Sequence, residues 1–167
     1  MAPSRYFTIA ELIATAQPGF TDAQRAGAAD PKIAAALNAL ATTILDPIRV
    51  HAKKPVHVNS AYRCPTLNAK IGGASSSQHM SGQAADITLR TTEAELWDLW
   101  RWIAWESGLP FGQVIFEDSR PDDTTRGAWI HVSLGVPYRA AARSGAVLTW
   151  TPGGGYRSVS ADPGPRR

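Results

Sequence analysis

The feature that most constrains the fold of this chain is an alternation of inward and outward side chains in three short segments. They are AADITL at 84–89, GQVIFE at 112–117 and WIHVSL at 129–134. Alternation with a period of two is typical of a strand that buries one face. In the first segment Asp86 alternates with Ala85 and Ile87. The three segments therefore predict neighbouring strands with a shared apolar face and a second face that carries ionisable residues.

Two longer helices are predicted to accompany these strands. Asp30 followed by Pro31 is typical of a helix N-terminus. The apolar residues that follow recur at spacings of three and four up to Ile48, which indicates a core-facing stripe. Pro47 predicts a kink or a stop near the end of this helix. The other helix is predicted over residues 92–107, where apolar residues again share one face.

The remaining segments complete an α+β pattern. Thr8 and Glu11 form a capping-box pattern that predicts a first helix ending before Pro18. Residues 55–62 alternate like a strand, and two short segments joined by Pro-Gly-Gly-Gly predict a closing hairpin at 147–159. Helices followed by antiparallel-type strands indicate an α+β domain with a small, mostly antiparallel sheet and helices packed on one face.

Length and composition indicate one globular domain. The chain has 167 residues, of which 44% are hydrophobic and 19% charged, and these values exclude wholesale disorder. We predict a domain over residues 1–159 and a flexible tail over residues 160–167, which are rich in proline and glycine. The single cysteine, Cys64, excludes an intramolecular disulfide and a metal site built from several cysteines.

The charge and hydropathy of the chain limit the kinds of binding partner and the location that we expect for it. The formal net charge is +3, but the basic residues are scattered and do not alternate with aromatic residues, so specific nucleic-acid binding is not expected. The first residues lack the long apolar core of a signal peptide, and no window approaches the roughly twenty apolar residues of a membrane span. We expect a monomer that is made in the cytoplasm and has no membrane span.

The polar face of the three strands predicts a metal site. His79 and Asp86 are seven residues apart, which on one helix is about 10 Å along the axis and too far for a shared zinc ion. Gly82 also interrupts the segment, so a loop that carries His79 and leads into a strand with Asp86 is the better interpretation. Neighbouring strands then present Asp86, His131 and Glu117 together. Two imidazoles and one carboxylate leave a fourth zinc position open for water, as in catalytic sites.

Each of these residues also has an ordinary structural explanation. A lone histidine in a strand is more often a hydrogen-bonding partner than a ligand, and His51 and His57 fit that explanation. Asp86 can cap a turn, and Glu117, which is followed by Asp118 at a loop entrance, can simply be solvated. The spacing and the common face favour a metal site, but from the residues alone both explanations stay open.

A family resemblance adds to this interpretation. The run SAYRCPTLNAKIGGASSSQHMSGQAADI at 60–87, followed by FGQVIFE and WIHVSL, resembles the zinc D-Ala-D-Ala carboxypeptidase and L-alanyl-D-glutamate peptidase family. That family belongs to a larger metallopeptidase group that shares a fold with the hedgehog signalling domain. The opening YFTIAEL resembles the phage-type members, so the likeness covers residues 6–135.

The resemblance implies roles for particular residues. It implies one zinc ion per chain, bound by His79, Asp86 and His131. It also implies a substrate-binding and transition-state-stabilising arginine at Arg63. Several members have an acidic base three residues before the last histidine, where this chain has Ala128. The hedgehog branch instead has a glutamate at the end of the preceding strand, and Glu117 matches that position.

These observations predict a zinc metallopeptidase that hydrolyses peptide bonds in the stem peptides of bacterial peptidoglycan. Glu117 is the expected general base, and Arg63 is expected to bind substrate and stabilise the oxyanion. Ser77, Gln78 and Gln113 are candidates for substrate binding, with ordinary loop and sheet hydrogen bonding as the alternative.

The alternative function is a non-catalytic zinc module of the same fold that recognises the cell wall or belongs to a virion. Glu117 favours the enzyme over this module. The bond that is cut stays open between D-Ala–D-Ala, L-Ala–D-Glu and a cross-link. The absence of a signal peptide and of wall-binding repeats favours a phage endolysin, which reaches the wall by the phage lysis route, over a bacterial remodelling enzyme.

Overall fold

The computed structural model describes residues 2–118, 127–135 and 146–166. The α-helices are Ile9–Leu12 (α1), Thr21–Ala28 (α2), Pro31–Leu40 (α3), Asp46–Ala52 (α4), Pro65–Lys70 (α5) and Glu93–Arg101 (α6). The strands are Val56–Ser60 (β1), Ala84–Leu89 (β2), Phe111–Glu117 (β3), Trp129–Leu134 (β4), Ala146–Thr151 (β5) and Gly155–Ser158 (β6). Two π-helical turns, Ala41–Leu45 and Trp102–Glu106, and a 3₁₀ turn, Gln78–Ser81, complete the elements.

The strands form one sheet in the order β1-β2-β4-β3-β5-β6. All neighbours are antiparallel except β3 and β5, which run parallel. In the centre of the sheet Asp86 is paired with His131, and His131 with Ile115. The predicted α+β fold with a mostly antiparallel sheet is confirmed.

One face of the sheet forms the hydrophobic core with the helices. Ile87, Phe116 and Val132 are fully buried there, as the alternation predicts, and they belong to one cluster with Leu37 of α3 and Trp100 of α6. Because side chains alternate along a strand, the residues between them point to the opposite face. That second face carries the ionisable residues and forms the floor of a cleft.

The helix predicted from Asp30 begins as expected but does not stop at Pro47. The Asp30 side chain caps α3, and the helix continues through Ala41–Leu45 into α4. In this π-helical turn the amide of Asp46 bonds to the carbonyl of Ala41, five residues back. Pro47 has no amide hydrogen for the carbonyl four residues before it, and the wider turn accommodates this loss without ending the helix.

This continuous helix corrects one expectation. Pro31–Ala52 is 22 residues long and apolar enough, by length and composition alone, to cross a membrane, so the sequence does contain such a window. A core helix of a globular domain passes the same test. Here Leu37, Leu40, Ile44 and Ile48 are fully buried in the core shared with the sheet.

The N-terminal region contains one helix more than the sequence predicted. The capping box at α1 is confirmed, because the Thr8 side chain accepts from the Glu11 amide and the Glu11 carboxylate accepts from the Thr8 amide. Helix α2 follows, and it was not predicted. The apolar residues of its sequence, TDAQRAGA, are alanine and glycine only, and its buried residues are Gln24 and Ala28. It therefore lacks the stripe of large apolar residues that predicted the two longer helices.

The C-terminal segment from residue 160, predicted to be a flexible tail, lies against α6. Asp162 forms a bidentate ion pair with Arg101, in which Nε and Nη2 of the guanidinium donate to the two carboxylate oxygens at 2.6 and 2.5 Å. The indole N–H of Trp97 donates to a backbone carbonyl of this segment at 2.9 Å. The guanidinium of Arg166 lies 4.1 Å from the centre of the Trp97 ring. The domain boundary at residue 159 stays a prediction, but the segment beyond it has contacts that its composition did not indicate.

Candidate metal centre

Three side chains converge on the polar face of the sheet. His79 Nε2 lies 3.3 Å from Asp86 Oδ1 and 3.3 Å from His131 Nδ1, and His131 Nδ1 lies 2.9 Å from Asp86 Oδ1. In a tetrahedral zinc site with bonds of about 2 Å, neighbouring ligand atoms are about 3.3 Å apart. The three donor atoms therefore fit three corners of a zinc site and leave a fourth corner for another ligand.

Local structure explains how these residues meet. Pairing of β2 with β4 places Asp86 directly opposite His131. His79 comes from the 3₁₀ turn that precedes β2, and this turn ends at Gly82, which has a φ of 68°. A Cβ at Gly82 would also lie 3.1 Å from the carbonyl of Ile33, so glycine satisfies both the left-handed backbone and the close approach. The loop-then-strand arrangement agrees with the interpretation of the spacing.

A partner outside the centre orients His79. His79 is buried, and its Nδ1 lies 2.7 Å from the carbonyl of Ala61. A carbonyl can only accept, so Nδ1 carries the proton and donates, which leaves the lone pair of Nε2 for a metal ion. This outer hydrogen bond is typical of metal-binding histidines, and the sequence contains no signal for it.

Asp86 divides its two oxygens between different partners. Its Oδ1 faces the histidines, while Oδ2 accepts from Arg63 Nη2 at 2.6 Å. Burial alone would raise the pKa of Asp86, but His79 and His131 outweigh burial and hold this pKa well below its usual range. The carboxylate is therefore ionised, as a metal ligand must be.

Arg63 lies beside the three donors, in the cleft where the resemblance placed it. Its Nε donates to Ser60 Oγ at 3.0 Å, and its backbone amide donates to the carbonyl of His79 at 3.1 Å. The side chain is largely buried against Asp86. Beyond its predicted role toward the substrate, Arg63 therefore orients a candidate metal ligand, Asp86.

Glu117 lies at the end of β3 and lines the same cleft. Burial raises its pKa to about 7, and the negative charge of Asp86 acts in the same direction. The charges of His131 and Arg63 and a hydrogen bond with the Trp129 side chain oppose this shift. A carboxyl group with a pKa near neutrality can both accept and release a proton at physiological pH.

Asp118, the neighbouring carboxylate, has different surroundings. Its Oδ2 lies 3.8 Å from Arg166 of the C-terminal segment, and it does not line the cleft. This agrees with the strand register that assigned Glu117 to the cleft face. Asp122 and Asp123, two further acidic residues that follow in the sequence, lie outside the described residues.

A cleft with a volume of about 1290 Å³ surrounds the centre. It contains the predicted substrate-binding residues Ser77, Gln78 and Gln113. Other residues of the cleft were missed or assigned no role by the sequence analysis, namely His57, Ile115, Trp129, Leu148 and Tyr156. Their alternation places them on the polar face, but the order of the strands, which brings them together, is not visible in the sequence.

Fold and centre together define a class: an α+β domain with a three-donor metal centre in an open cleft. The model of the family described as peptidase M15 matches residues 5–119, and the chain belongs to this family. Membership supports a zinc peptidase. The match includes Arg63, His79, Asp86 and Glu117 but ends before His131, whose place in the centre follows from the pairing of β2 with β4.

One curated relative is similar over a short segment. A stretch of 34 residues is 53% identical to the zinc D-Ala-D-Ala carboxypeptidase of Streptomyces albus G. This stretch is 20% of the chain and spans only 13% of the relative's length. The similarity supports zinc as the metal that the centre would bind, while the substrate of that enzyme enters only as a proposal for this chain.

Proposed function

We propose that this chain is a zinc peptidase that hydrolyses peptide bonds in the stem peptides of bacterial peptidoglycan. The observation that carries the proposal is the convergence of the donor atoms of His79, Asp86 and His131 within 3.3 Å of one another, with Glu117 and Arg63 in the same cleft. A purely structural zinc site has four protein ligands, whereas three ligands are typical of a catalytic one.

The charges of the cleft indicate what each residue does. A zinc ion on the three donors would supply a Lewis acid that polarises the scissile carbonyl and acidifies water. Glu117 takes a proton from the attacking water and passes it to the leaving amine, a role that its position in the cleft with the three donors supports. Trp129 lies in the same cleft, and its side chain favours the ionised form of Glu117, which accepts the proton.

Arg63 contributes a fixed positive charge next to the reacting carbonyl. Its Nε and Nη2 are hydrogen-bonded to Ser60 and Asp86, and its remaining N–H groups can donate to a substrate oxygen. Because guanidinium stays protonated at any physiological pH, this charge stabilises the oxyanion that develops during attack.

The substrate class is inferred from the family and from the name of the relative. We propose cleavage of either the D-Ala–D-Ala bond or the L-Ala–D-Glu bond, with Ser77, Gln78 and Gln113 in contact with the peptide. We also propose that the protein is an endolysin, which reaches the cell wall by the phage lysis route. It acts there as a monomer, and its partner is the peptidoglycan of the wall.

Digestion of purified peptidoglycan tests the proposal. We expect mass spectrometry of the released muropeptides to show new stem-peptide termini, which identify the bond. The products should disappear after chelation and return when zinc is added. The His131→Ala variant is the matched control and should yield no products. Binding to peptidoglycan without cleavage would contradict the proposal and indicate the non-catalytic wall-recognition module instead.

A further inference from the structure

We infer that Gln24, on α2, is a positioning residue that holds Arg63 in the cleft. The inference rests on the proposed function for the role of Arg63, but the contacts that support it are independent of that role. The side chain of Gln24 bonds to groups that are 11 or more residues away, and the residue is only 1% exposed.

The carboxamide of Gln24 bonds to the backbone on both sides of Arg63. Its Nε2 donates to the carbonyl of Tyr62 at 2.7 Å and to the carbonyl of Ile13 at 3.2 Å. Its Oε1 accepts from the amide of Cys64 at 2.6 Å. Only a neutral amide side chain supplies an acceptor and two donors at one position, so the residue type matches the task.

The segment around Arg63 needs such a partner. It connects the end of β1 at Ser60 to the start of α5 at Pro65, and its amides and the carbonyl of Tyr62 lie outside the regular hydrogen bonds of both elements. The amide of Tyr62 donates to the carbonyl of Leu12 at 2.8 Å. The carbonyl of Tyr62 and the amide of Cys64 are satisfied by Gln24, and without it both would be buried and unpaired.

Helix α2 packs closely against this segment, residues 61–64, which we call the arginine segment. A Cβ at Gly27 would lie 1.9 Å from the Tyr62 hydroxyl oxygen, so glycine is required for this packing. The helix therefore contacts the arginine segment through two of its residues, Gly27 and Gln24. The physical consequence is that the backbone from which the long Arg63 side chain extends is fixed on both sides.

Fixing this backbone matters because Arg63 reaches Asp86 and the substrate through a flexible side chain. A displacement of about 1 Å at a positioning group can cost about a hundredfold in rate. Loss of the Gln24 contacts should therefore reduce turnover through Arg63. Zinc should be retained, because the donor side chains of His79, Asp86 and His131 are unchanged and the pairing of β2 with β4 still places Asp86 opposite His131.

A double-mutant cycle tests the inference. Gln24→Met has a similar length but cannot bond to the arginine segment, and we expect it to keep one zinc per chain. Its kcat on peptidoglycan fragments should fall tenfold or more, with a smaller change in KM. In an Arg63→Ala background Gln24→Met should cause little further loss of kcat, because Gln24 affects turnover only through Arg63. An equal loss in both backgrounds, or no loss in either, would overturn the inference.

A second measurement needs no substrate. In the zinc-loaded protein we expect the Nε–H nuclear magnetic resonance signal of Arg63, assigned by its absence in Arg63→Ala, to exchange slowly with water. Gln24→Met should make it exchange at least tenfold faster, whereas Ala28→Gly, which weakens α2 elsewhere, should not. If the wild type cleaves no peptidoglycan, the proposed function fails while this measurement still decides the role of Gln24.

Both measurements require that the Gln24→Met variant folds. Should Gln24→Met not fold, Gln24→Glu retains the acceptor for the Cys64 amide and replaces the donor to Tyr62. The same faster exchange of the Arg63 signal is then expected at neutral pH. An unchanged exchange rate in Gln24→Glu would show that the donor contact does not hold Arg63.

Discussion

Two residues of the candidate metal centre, His79 and Asp86, use both of their polar atoms. His79 donates from Nδ1 to Ala61 and directs Nε2 into the centre, and Asp86 accepts from Arg63 with one oxygen and faces the histidines with the other. A side chain with only one polar atom, or with a different reach, cannot satisfy both partners. This explains why single substitutions are expected to affect the centre strongly.

Removing one histidine should remove the metal. We expect His79→Ala or His131→Ala to lose most bound zinc, measured by plasma emission spectrometry, and all measurable peptidase activity, because two donors hold zinc weakly. His51→Ala is the control, since His51 stacks on Trp102 with ring centres 3.7 Å apart and does not line the cleft. Stoichiometric zinc in the His131 variant would show that the ligand assignment is wrong.

Replacing Glu117 should separate catalysis from metal binding. We expect Glu117→Gln to retain zinc but to lose about a hundredfold or more in kcat, because an amide cannot accept the proton. Asp118→Asn is the matched control on the opposite face, near Arg166, and should remain active. Steady-state kinetics of both variants give the answer. An inactive Asp118→Asn with a nearly normal Glu117→Gln would assign the base to Asp118.

The raised pKa of Glu117 also predicts a pH-dependent stability. Its pKa in the folded, metal-free protein is about 7, above its ordinary value of 4.5. The neutral form is favoured by folding, so this contribution to stability is complete below pH 4.5 and is lost as pH rises through 7.

Metal-free Glu117→Gln should therefore be as stable as the wild type at pH 4. Above pH 7 it should be more stable by on the order of 1 to 3 kcal/mol, because it never buries the charge. Urea denaturation of both metal-free proteins from pH 4 to pH 8 measures this difference. A constant difference across that range would contradict the burial of an ionising Glu117.

At the scale of secondary-structure elements, two parts of the chain without a clear sequence pattern, helix α2 and the C-terminal segment, pack next to the residues of the site. Helix α2 holds the arginine segment through Gln24, and the C-terminal segment packs on α6 and on the end of β3 beside Glu117. Neither role is visible in hydrophobic periodicity. Both depend on polar side chains that contact residues far away in the sequence.

The packing of the C-terminal segment leads to a prediction about stability. Arg166 lies over the rings of Trp97 and Phe116. We expect Arg166→Ala to lose about 1 kcal/mol, the size of a cation–π contact, and to lower Tm by roughly 2 to 4 °C. Differential scanning calorimetry gives the measurement, with the exposed Arg25→Ala as control. An unchanged Tm would support the dispensable tail that composition predicted.

At the scale of the whole molecule, one sheet serves two purposes. Its apolar face forms the core with α3, α4 and α6, and its other face is the floor of the cleft. Because alternation assigns every second residue to each face, residues of the core and of the site are interleaved along the same strands. A shift of one residue in the register of β4 would exchange His131 for a core residue.

The local features of this protein can be predicted from the amino-acid sequence alone. Alternation predicted β2, β3 and β4 and the face of each residue, because a period of two is a property of the extended backbone itself. The capping residues Thr8 and Asp30 predicted two helix starts for a similarly local reason. The residue types of the candidate centre and the family resemblance were also present in the sequence, and family membership is confirmed.

The contacts between groups that are far apart in the sequence depend on the packing of the whole fold. The parallel pairing of β3 with β5, the ion pair between Arg63 and Asp86 and the contacts of Gln24 join parts of the chain that share no local pattern. Buried polar groups must find partners wherever packing brings them, and packing is a property of the whole fold. For this reason the sequence predicted the candidate donors of the centre but not the side chains that hold them in place.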